Sequence, residues 1–464
     1  MIRLKLSSIQ PKVNNTQSTL KLDFWVNTDT IKISMRLFGT SGIRRTIDRD
    51  LVQLALNVGL AVGNVYRSVV VGCDTRTSSN TLRYATISGL LASGASCSDA
   101  TVLPTPTLAY VTREFKAGVM ITASHNPPSY NGIKLVNPDG SAFHASQQKQ
   151  IEDLVLGASL ATAPWNKMKN ADVYSSAIEK HVERIRKDFS GGFKLKVVVD
   201  SGCGAAYFIT PHLLTKLGCE VLSLNCYPSG FFPHDVEPTE ANLRDLIKAT
   251  KETGADLGIA HDGDADRMMV IDDKGRFVSG DKLLAIFAKA MSARKVVTTV
   301  DASMSLDEMG FKVIRTRVGD PYVSEKLKKG GDFGGEPSGA WVFPGISLCP
   351  DGIYAAAQIV AIASQNKISE LGDSIPSYPM LRGSTSSEGV IMAELEQRLL
   401  TMNPVSMDKI DGLKLNFKDG WLLIRPSGTE PKIRLTAEAK SKTSARQLYD
   451  GAIKIIKESA HKGE

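Results

Sequence analysis

No stretch of this chain approaches the ~18 consecutive apolar residues that a membrane helix needs, so no helical membrane span is expected. Residues 1–34 are polar, carry Lys5, Lys12, Lys21 and Lys32, and lack the apolar core of a secretory signal. The six cysteines (Cys73, Cys97, Cys203, Cys219, Cys226, Cys349) are scattered with no C-x-x-C pair, which argues against a disulfide framework or a zinc site and makes a reduced cytoplasm the default. Aromatic residues make up only 6%, and no Lys/Arg stripe is interleaved with them, so a nucleic-acid partner is not expected. No Gly-Lys dipeptide precedes Ser or Thr, which excludes a Walker loop. No G-x-S-x-G surrounds a serine, which excludes the hydrolase elbow. Gly202-x-Gly204 follows a strand-like run, but Tyr207 stands where a dinucleotide fingerprint needs its third glycine, and Leu224-Asn225 ends the next strand without an acidic residue.

What is present is an ordinary globular composition, 42% hydrophobic and 23% charged, in 464 residues, too many for one core and enough for three or four domains. A net charge of +7 suits an anionic small-molecule substrate and equally a solvated surface. From Met35 onward, short β-branched runs alternate with amphipathic segments of helical length, the pattern of α/β layers. Val69 to Gly72, Val102-Leu103 and Gly118 to Ile121 read as strands, and Leu82 to Leu91 as a helix stopped by Gly94. Lys196 to Asp200 opens a second unit, with a helix from Pro211 to Leu217 and a strand from Val221 to Leu224; Lys295 to Asp301 opens a third. Three such openings point to an internal repeat of one α/β domain. The end differs: Leu413 to Phe417, an Asp419-Gly420 turn and Trp421 to Ile424 read as a hairpin, followed by a strand from Lys432 to Ala437 and a helix from Ser444 to Glu458.

Four stretches carry candidate chemistry. In Thr122-Ala123-Ser124-His125-Asn126-Pro127-Pro128 the prolines stop regular structure directly after a buried strand, leaving the Ser124 hydroxyl on a tight turn; taken alone, such a stretch is as well a plain turn. Asp262, Asp264 and Asp266 stand two apart after the apolar run Leu257 to Ala260, where alternate carboxylates in an irregular loop converge on one hard cation. An EF-hand is excluded, because Arg267 and Asp273 occupy the positions of its Gly and twelfth-place Glu. Mutual repulsion of three carboxylates favours Mg²⁺ with a phosphate oxygen over a bare acidic turn, and a phosphorylated Ser124 would supply that oxygen. Gly335-Glu336-Pro337-Ser338-Gly339 offers a carboxylate and a hydroxyl able to bond adjacent sugar hydroxyls, or is a plain glycine-rich loop. Arg425-Pro426-Ser427-Gly428-Thr429-Glu430-Pro431 offers hydroxyls and free N–H groups in an anion nest, which Arg425 and Arg434 can extend with bidentate bonds to phosphate, or is a polar strand connection.

These four motifs, in this order, resemble the α-D-phosphohexomutase superfamily, the phosphoglucomutase, phosphomannomutase and phosphoglucosamine mutase group, from about Met35-Arg36-Leu37-Phe38-Gly39-Thr40-Ser41-Gly42-Ile43-Arg44 to the C-terminus. The resemblance implies three similar mixed-sheet α/β/α domains around a central cleft plus a smaller C-terminal α+β domain. Boundaries are expected at 1–34 for an extension, 35–185, 186–285, 286–390 and 391–464. It implies that Ser124 carries the phosphoryl group, that Asp262, Asp264 and Asp266 hold Mg²⁺, that Glu336 and Ser338 read the sugar, and that Arg425, Ser427, Gly428, Thr429 and Arg434 grip the non-reacting phosphate. Arg44 would stand near the phosphoserine, Arg267 would neutralise charge, and His125 or Lys134 would move the proton. A sugar 1,6-bisphosphate is the implied intermediate and activator. Three positions depart from the family pattern: Arg45 in place of Gly, Cys73 where Gly-Arg-Asp is usual, and Ala340 where the sugar loop often ends in His. Leu37-Phe38-Gly39-Thr40 and Val236-Glu237-Pro238-Thr239 resemble the archaeal-type mutases and favour glucosamine phosphate, with overlapping glucose and mannose phosphate activity. A phosphopentomutase, a metal-dependent phosphatase with its nucleophile at Asp262, and an inactive phosphosugar-binding protein remain as alternatives.

Overall fold

The computed structural model describes residues 37–157, 160–426 and 431–460. The expected extension 1–34, the Met35-Arg36 start of the first domain, and the clamp residues Ser427, Gly428 and Thr429 lie outside the described residues.

Valine-rich runs such as Val69-Val70-Val71 and Val197-Val198-Val199 are buried strand centres, as parallel strands covered on both faces must be. They lie in three sheets that share one plan. In the first, Ser68–Cys73 lies between its parallel neighbours Ser96–Val102 and Ala117–Ile121, and Tyr130–Val136 returns antiparallel to the latter. In the second, Lys196–Asp200 lies between Glu220–Leu224 and Leu257–His261, and Met268–Ile271 returns antiparallel. In the third, Lys295–Thr299 lies between Lys312–Thr316 and Phe333–Gly335, and Trp341–Val342 returns antiparallel. The loop between the third parallel strand and its antiparallel return carries Ser124 in the first sheet, Asp262 to Asp266 in the second, and Glu336 to Ser338 in the third. The three motifs are therefore one structural position used three times.

The fourth sheet is wholly antiparallel, in the order Met380–Ser386, Lys432–Ala439, Gly420–Pro426, Leu413–Phe417, Ser406–Asp408, with the helices Met392–Leu399 and Lys442–Ala460 over its apolar face. Two local expectations change here. Phe417 pairs with Gly420, so the hairpin loop is Lys418-Asp419 and Gly420 opens the return strand. Its glycine serves packing, since a Cβ there would lie 2.2 Å from the Glu438 carbonyl oxygen. Met380–Ser386, on the third-domain side of the expected boundary at 390, forms seven residue pairs with Lys432–Ala439 and belongs to the fourth sheet. Arg382-Gly383-Ser384 is thus mid-strand. The expected boundary at 285 likewise falls within the helix Gly280–Ala290, which is buried in a core shared by the second and third sheets.

Candidate active site

Ser124 stands with φ +52°, in the left-handed region that a residue with a Cβ seldom adopts. Its N–H donates to Thr122 Oγ1 (2.9 Å), and that hydroxyl donates to the buried Asp74 carboxylate (2.7 Å). The turn aims Ser124 Oγ at Asp262 Oδ2, 2.7 Å away, so the serine loop of the first sheet meets the acidic loop of the second. The loops can touch because Gly263 has no side chain; a Cβ there would lie 2.6 Å from the Ser124 carbonyl oxygen. His125 Nδ1 lies 3.3 Å from Ser124 Oγ. Burial, then the charges of Arg267 and Arg44, bring the His125 pKa down to about 3, so this imidazole is neutral. Arg44, on the strand Ile43–Thr46, donates to Asn126 Oδ1 (3.0 Å).

Asp262, Asp264 and Asp266 are all buried, and one oxygen of each lies within 4.8 Å of the others. Lys134 reaches in from the strand Tyr130–Val136, its Nζ 2.7 Å from Asp264 Oδ2 and 2.6 Å from Asp266 Oδ2. Burial opposes the Lys134 charge, but Asp264 and Asp266 prevail and hold its pKa above the ordinary lysine value. Burial likewise works against the Asp264 carboxylate, yet Lys134 beside it and the Thr105 hydroxyl bring it down to about 2. Asp262 is pushed well above the carboxylate range by burial and by Asp266 and Asp264, which outweigh the opposing charge of Arg267. Asp264 Oδ1 is buried with no hydrogen-bond partner. An orphaned carboxylate oxygen inside a cluster of hard oxygen donors fits a hard divalent cation.

Arg267 closes the acidic loop. Its backbone N–H donates to Asp262 Oδ1 (3.2 Å) and its guanidinium to Glu237 Oε1 (3.2 Å), and it bridges backbone-to-backbone with Ala340. Ala340, the departure from histidine, is thus a buried contact that joins the acidic loop to the loop of Glu336 and Ser338. In that loop Glu336 Oε1 accepts the Gly319 N–H (2.7 Å), and Ser338 Oγ lies 3.5 Å from Glu336 Oε2. Burial, reinforced by Asp320, raises the Glu336 pKa to about 7. Cys73 is a buried strand end inside the first core, and Arg45 pairs with Asn131 across the sheet. In the fourth sheet Arg425 and Arg434 are cross-strand partners. Arg425 pairs with Asp411 (2.8 Å), which also accepts the Val318 N–H (3.1 Å), tying this strand end to the segment that supports Glu336.

Several supporting roles at the site escaped the sequence reading: Asp74 under the serine turn, Thr105 on Asp264, Glu237 on Arg267, Asp320 held by Ser41 (2.9 Å), and Asp411 on Arg425. Each comes from a different loop from the group it supports. Thr105, in Leu103-Pro104-Thr105-Pro106, Asp74, after Gly72-Cys73, and Glu237, in Val236-Glu237-Pro238-Thr239, stood in visible stretches, but nothing in the sequence showed which group each would reach.

Four consecutive stretches match known families: residues 35–161, 172–275 and 279–378 match phosphoglucomutase/phosphomannomutase α/β/α domains I, II and III, and residues 389–454 match its C-terminal domain. The probable phosphoglucosamine mutase of Methanosarcina barkeri is 47% identical over 437 residues, covering 92% of this chain and 100% of that protein. The phosphoglucosamine mutase of Methanocaldococcus jannaschii is 40% identical over 444 residues, covering 91% and 99%. Among solved structures, a phosphoglucomutase/phosphomannomutase family protein from Burkholderia thailandensis superposes with a TM-score of 0.82 at 28% identity, covering 92% of this chain and 98% of that one. With the serine turn, the acidic loop and the Glu336 loop at equivalent places in three repeated sheets, the chain belongs to the phosphoglucomutase/phosphomannomutase family of the α-D-phosphohexomutase superfamily, and is a phosphate-transferring isomerase.

Proposed function

We propose that this protein interconverts the 1- and 6-phosphates of glucosamine, with overlapping activity on glucose and mannose phosphates. The observation that carries the chemistry is the 2.7 Å bond from Ser124 Oγ to Asp262, which unites a strained nucleophile with a buried acidic triad. The names of the Methanosarcina and Methanocaldococcus relatives support the sugar.

In this reading Ser124 carries a phosphoryl group. The Oγ–P bond breaks as a bond forms to the free hydroxyl of a sugar monophosphate. The resulting 1,6-bisphosphate turns end for end, and its other phosphoryl group returns to Ser124. Asp262, Asp264, Asp266 and the serine phosphate would hold Mg²⁺, which when bound neutralises charge on the transferring group. Arg267 and Arg44 add fixed positive charge in the same cleft. His125, neutral and 3.3 Å from Ser124 Oγ, relays the sugar hydroxyl's proton to Ser124 Oγ as the Oγ–P bond breaks, so that no imidazolium has to persist among the neighbouring cations, while Lys134 stays charged and bridges Asp264 and Asp266. Glu336 and Ser338 bond the sugar hydroxyls, and Arg425, Ser427, Gly428, Thr429 and Arg434 grip the phosphate that is not reacting. Six unpaired cysteines support a cytoplasmic setting. We divide the chain into four domains as expected from its sequence, with the boundary at 285 moved ahead of Gly280 to keep that helix whole and the last moved ahead of Met380 to follow the strand pairing.

The test is ³¹P NMR of the purified protein with Mg²⁺, a trace of sugar 1,6-bisphosphate, and the 1-phosphates of glucosamine, glucose and mannose in turn. Conversion to 6-phosphates, fastest for glucosamine and absent in Ser124→Ala, is expected. Release of inorganic phosphate alone, or turnover surviving in Ser124→Ala, would refute the proposal.

A further inference from the structure

The Asp74-Thr75-Arg76-Thr77 turn carries a buried arginine that none of the motifs includes. Arg76 Nε donates to Asp74 Oδ2 (3.1 Å). Its Nη1 donates to the carbonyl oxygens of Pro127 (2.8 Å) and Tyr130 (3.0 Å), and its Nη2 to those of Ser124 (2.8 Å) and Asn126 (2.7 Å). Four carbonyls of the loop that follows Ser124 therefore converge on one guanidinium. That loop contains Pro127 and Pro128, which have no N–H of their own, so little of it can be held by ordinary ladder bonding. Only a planar fork with five fixed donors fits such a set; an ammonium offers three on a flexible stem.

The opposite side of the same turn receives the second repeat. The Phe232 ring lies 5.0 Å from the Arg76 guanidinium carbon. Gly230, at φ +73°, packs so closely that a Cβ would lie 2.6 Å from the Thr75 carbonyl oxygen, and Thr75 Oγ1 donates to the Cys203 carbonyl (2.7 Å). Asp74 meanwhile accepts from both the Arg76 side chain and Thr122, whose hydroxyl holds the Ser124 N–H. The peptide groups on both sides of Ser124 are thus fixed through one turn.

We propose that Arg76 is a positioning residue for phosphoryl transfer: its guanidinium, covered by Phe232, holds the Ser124 turn in the left-handed conformation that aims Oγ at Asp262. The inference rests on Ser124 as phosphoryl carrier.

Arg76→Lys in the full-length protein tests it, with three readouts: kcat and KM for glucosamine 1-phosphate, phosphorylation of Ser124 by sugar 1,6-bisphosphate followed by mass spectrometry, and amide hydrogen exchange of the metal-free protein. The expected result is a kcat lower by on the order of 10²-fold, the penalty for misplacing a reacting atom by roughly 1 Å, with KM changed by less than about threefold. Ser124 phosphorylation slows in parallel, and exchange quickens at least about tenfold within residues 124–130 alone. A kcat within about threefold of wild type, or faster exchange spread over the whole chain, overturns the proposal. If Arg76→Lys does not fold, Phe232→Ala decides: opening the guanidinium to water should lower kcat by about three- to tenfold with KM unchanged, and an unaltered kcat overturns the proposal. Wild-type protein that takes no phosphoryl group at Ser124 would remove the proposed function and this inference together, whereas normal wild-type phosphorylation with an unaffected Arg76→Lys removes this inference alone.

Discussion

Lys134→Met separates electrostatics from packing at the acidic loop. The substitution keeps the aliphatic stem and removes the ammonium that stands 2.7 Å from Asp264 and 2.6 Å from Asp266. At an effective dielectric of about 20, each contact is worth roughly 6 kcal/mol of gross attraction. Removing one partner of a buried pair, after the desolvation of the lost charge is credited, costs about 3–5 kcal/mol. The sign with pH is specific. In the wild type, the Asp264 pKa of about 2 lies below its ordinary 3.8, so its contribution is present above pH 3.8 and is lost as pH falls toward 2. Without Lys134 the buried carboxylates rise above their unfolded values. The variant is then most stable in acid and loses stability as pH rises through the new folded values. Thermal unfolding in EDTA from pH 5 to 8 should show a midpoint lowered on the order of 5–10 °C at pH 8, with the gap narrowing toward pH 5. Mg²⁺ should raise the variant's midpoint more than the wild type's, because the cation replaces the missing positive charge. Equal metal-free midpoints at pH 8 would refute the reasoning.

Asp262→Asn should not lower metal-free stability by more than about 0.5 kcal/mol, because burial and its acidic neighbours oppose the charge that the substitution removes, yet should abolish Mg²⁺-dependent stabilisation and turnover; unfolding with and without Mg²⁺ and a turnover assay check both. The Glu336 carboxyl, raised to about 7, must ionise to accept sugar hydroxyls, so KM should fall as pH rises through 7 and stay flat in Glu336→Gln. The same shift stabilises the fold below pH 4.5 and is lost as pH rises through about 7, so the wild type should lose stability between pH 5 and 8 that Glu336→Gln retains in urea titrations. Gly280→Ala should raise KM about tenfold in steady-state kinetics with the fold intact, because a Cβ there would sit 1.9 Å from the Pro337 carbonyl oxygen and push the sugar loop aside.

Many strands were legible without the fold: runs such as Lys196 to Asp200 and Leu413 to Phe417 declare themselves by composition and period, and their ends match the structure. The sequence also determined the chemistry-bearing motifs, because Ser124, the aspartates and Glu336 each stand in a short stretch whose residues declare a turn after an apolar run. What it could not carry were interactions between remote segments. Met380–Ser386 joins the fourth sheet through hydrogen bonds to residues some fifty positions later, and nothing local distinguishes it from a third-domain strand. Arg76, Asp320 and Asp411 look like surface charges in sequence and become buried or paired only when other loops close over them. That Ser124 and the acidic loop belong together was legible in the sequence, but that the loops of Ser124, of Asp262 to Asp266 and of Glu336 are the same turn in three repeated sheets, with Ser124 Oγ 2.7 Å from Asp262, came from the fold. The physical reason is range: strand formation and turn stops are set by neighbours along the chain, whereas the charge balance at Lys134 and the aim of Ser124 are set by groups more than a hundred residues away.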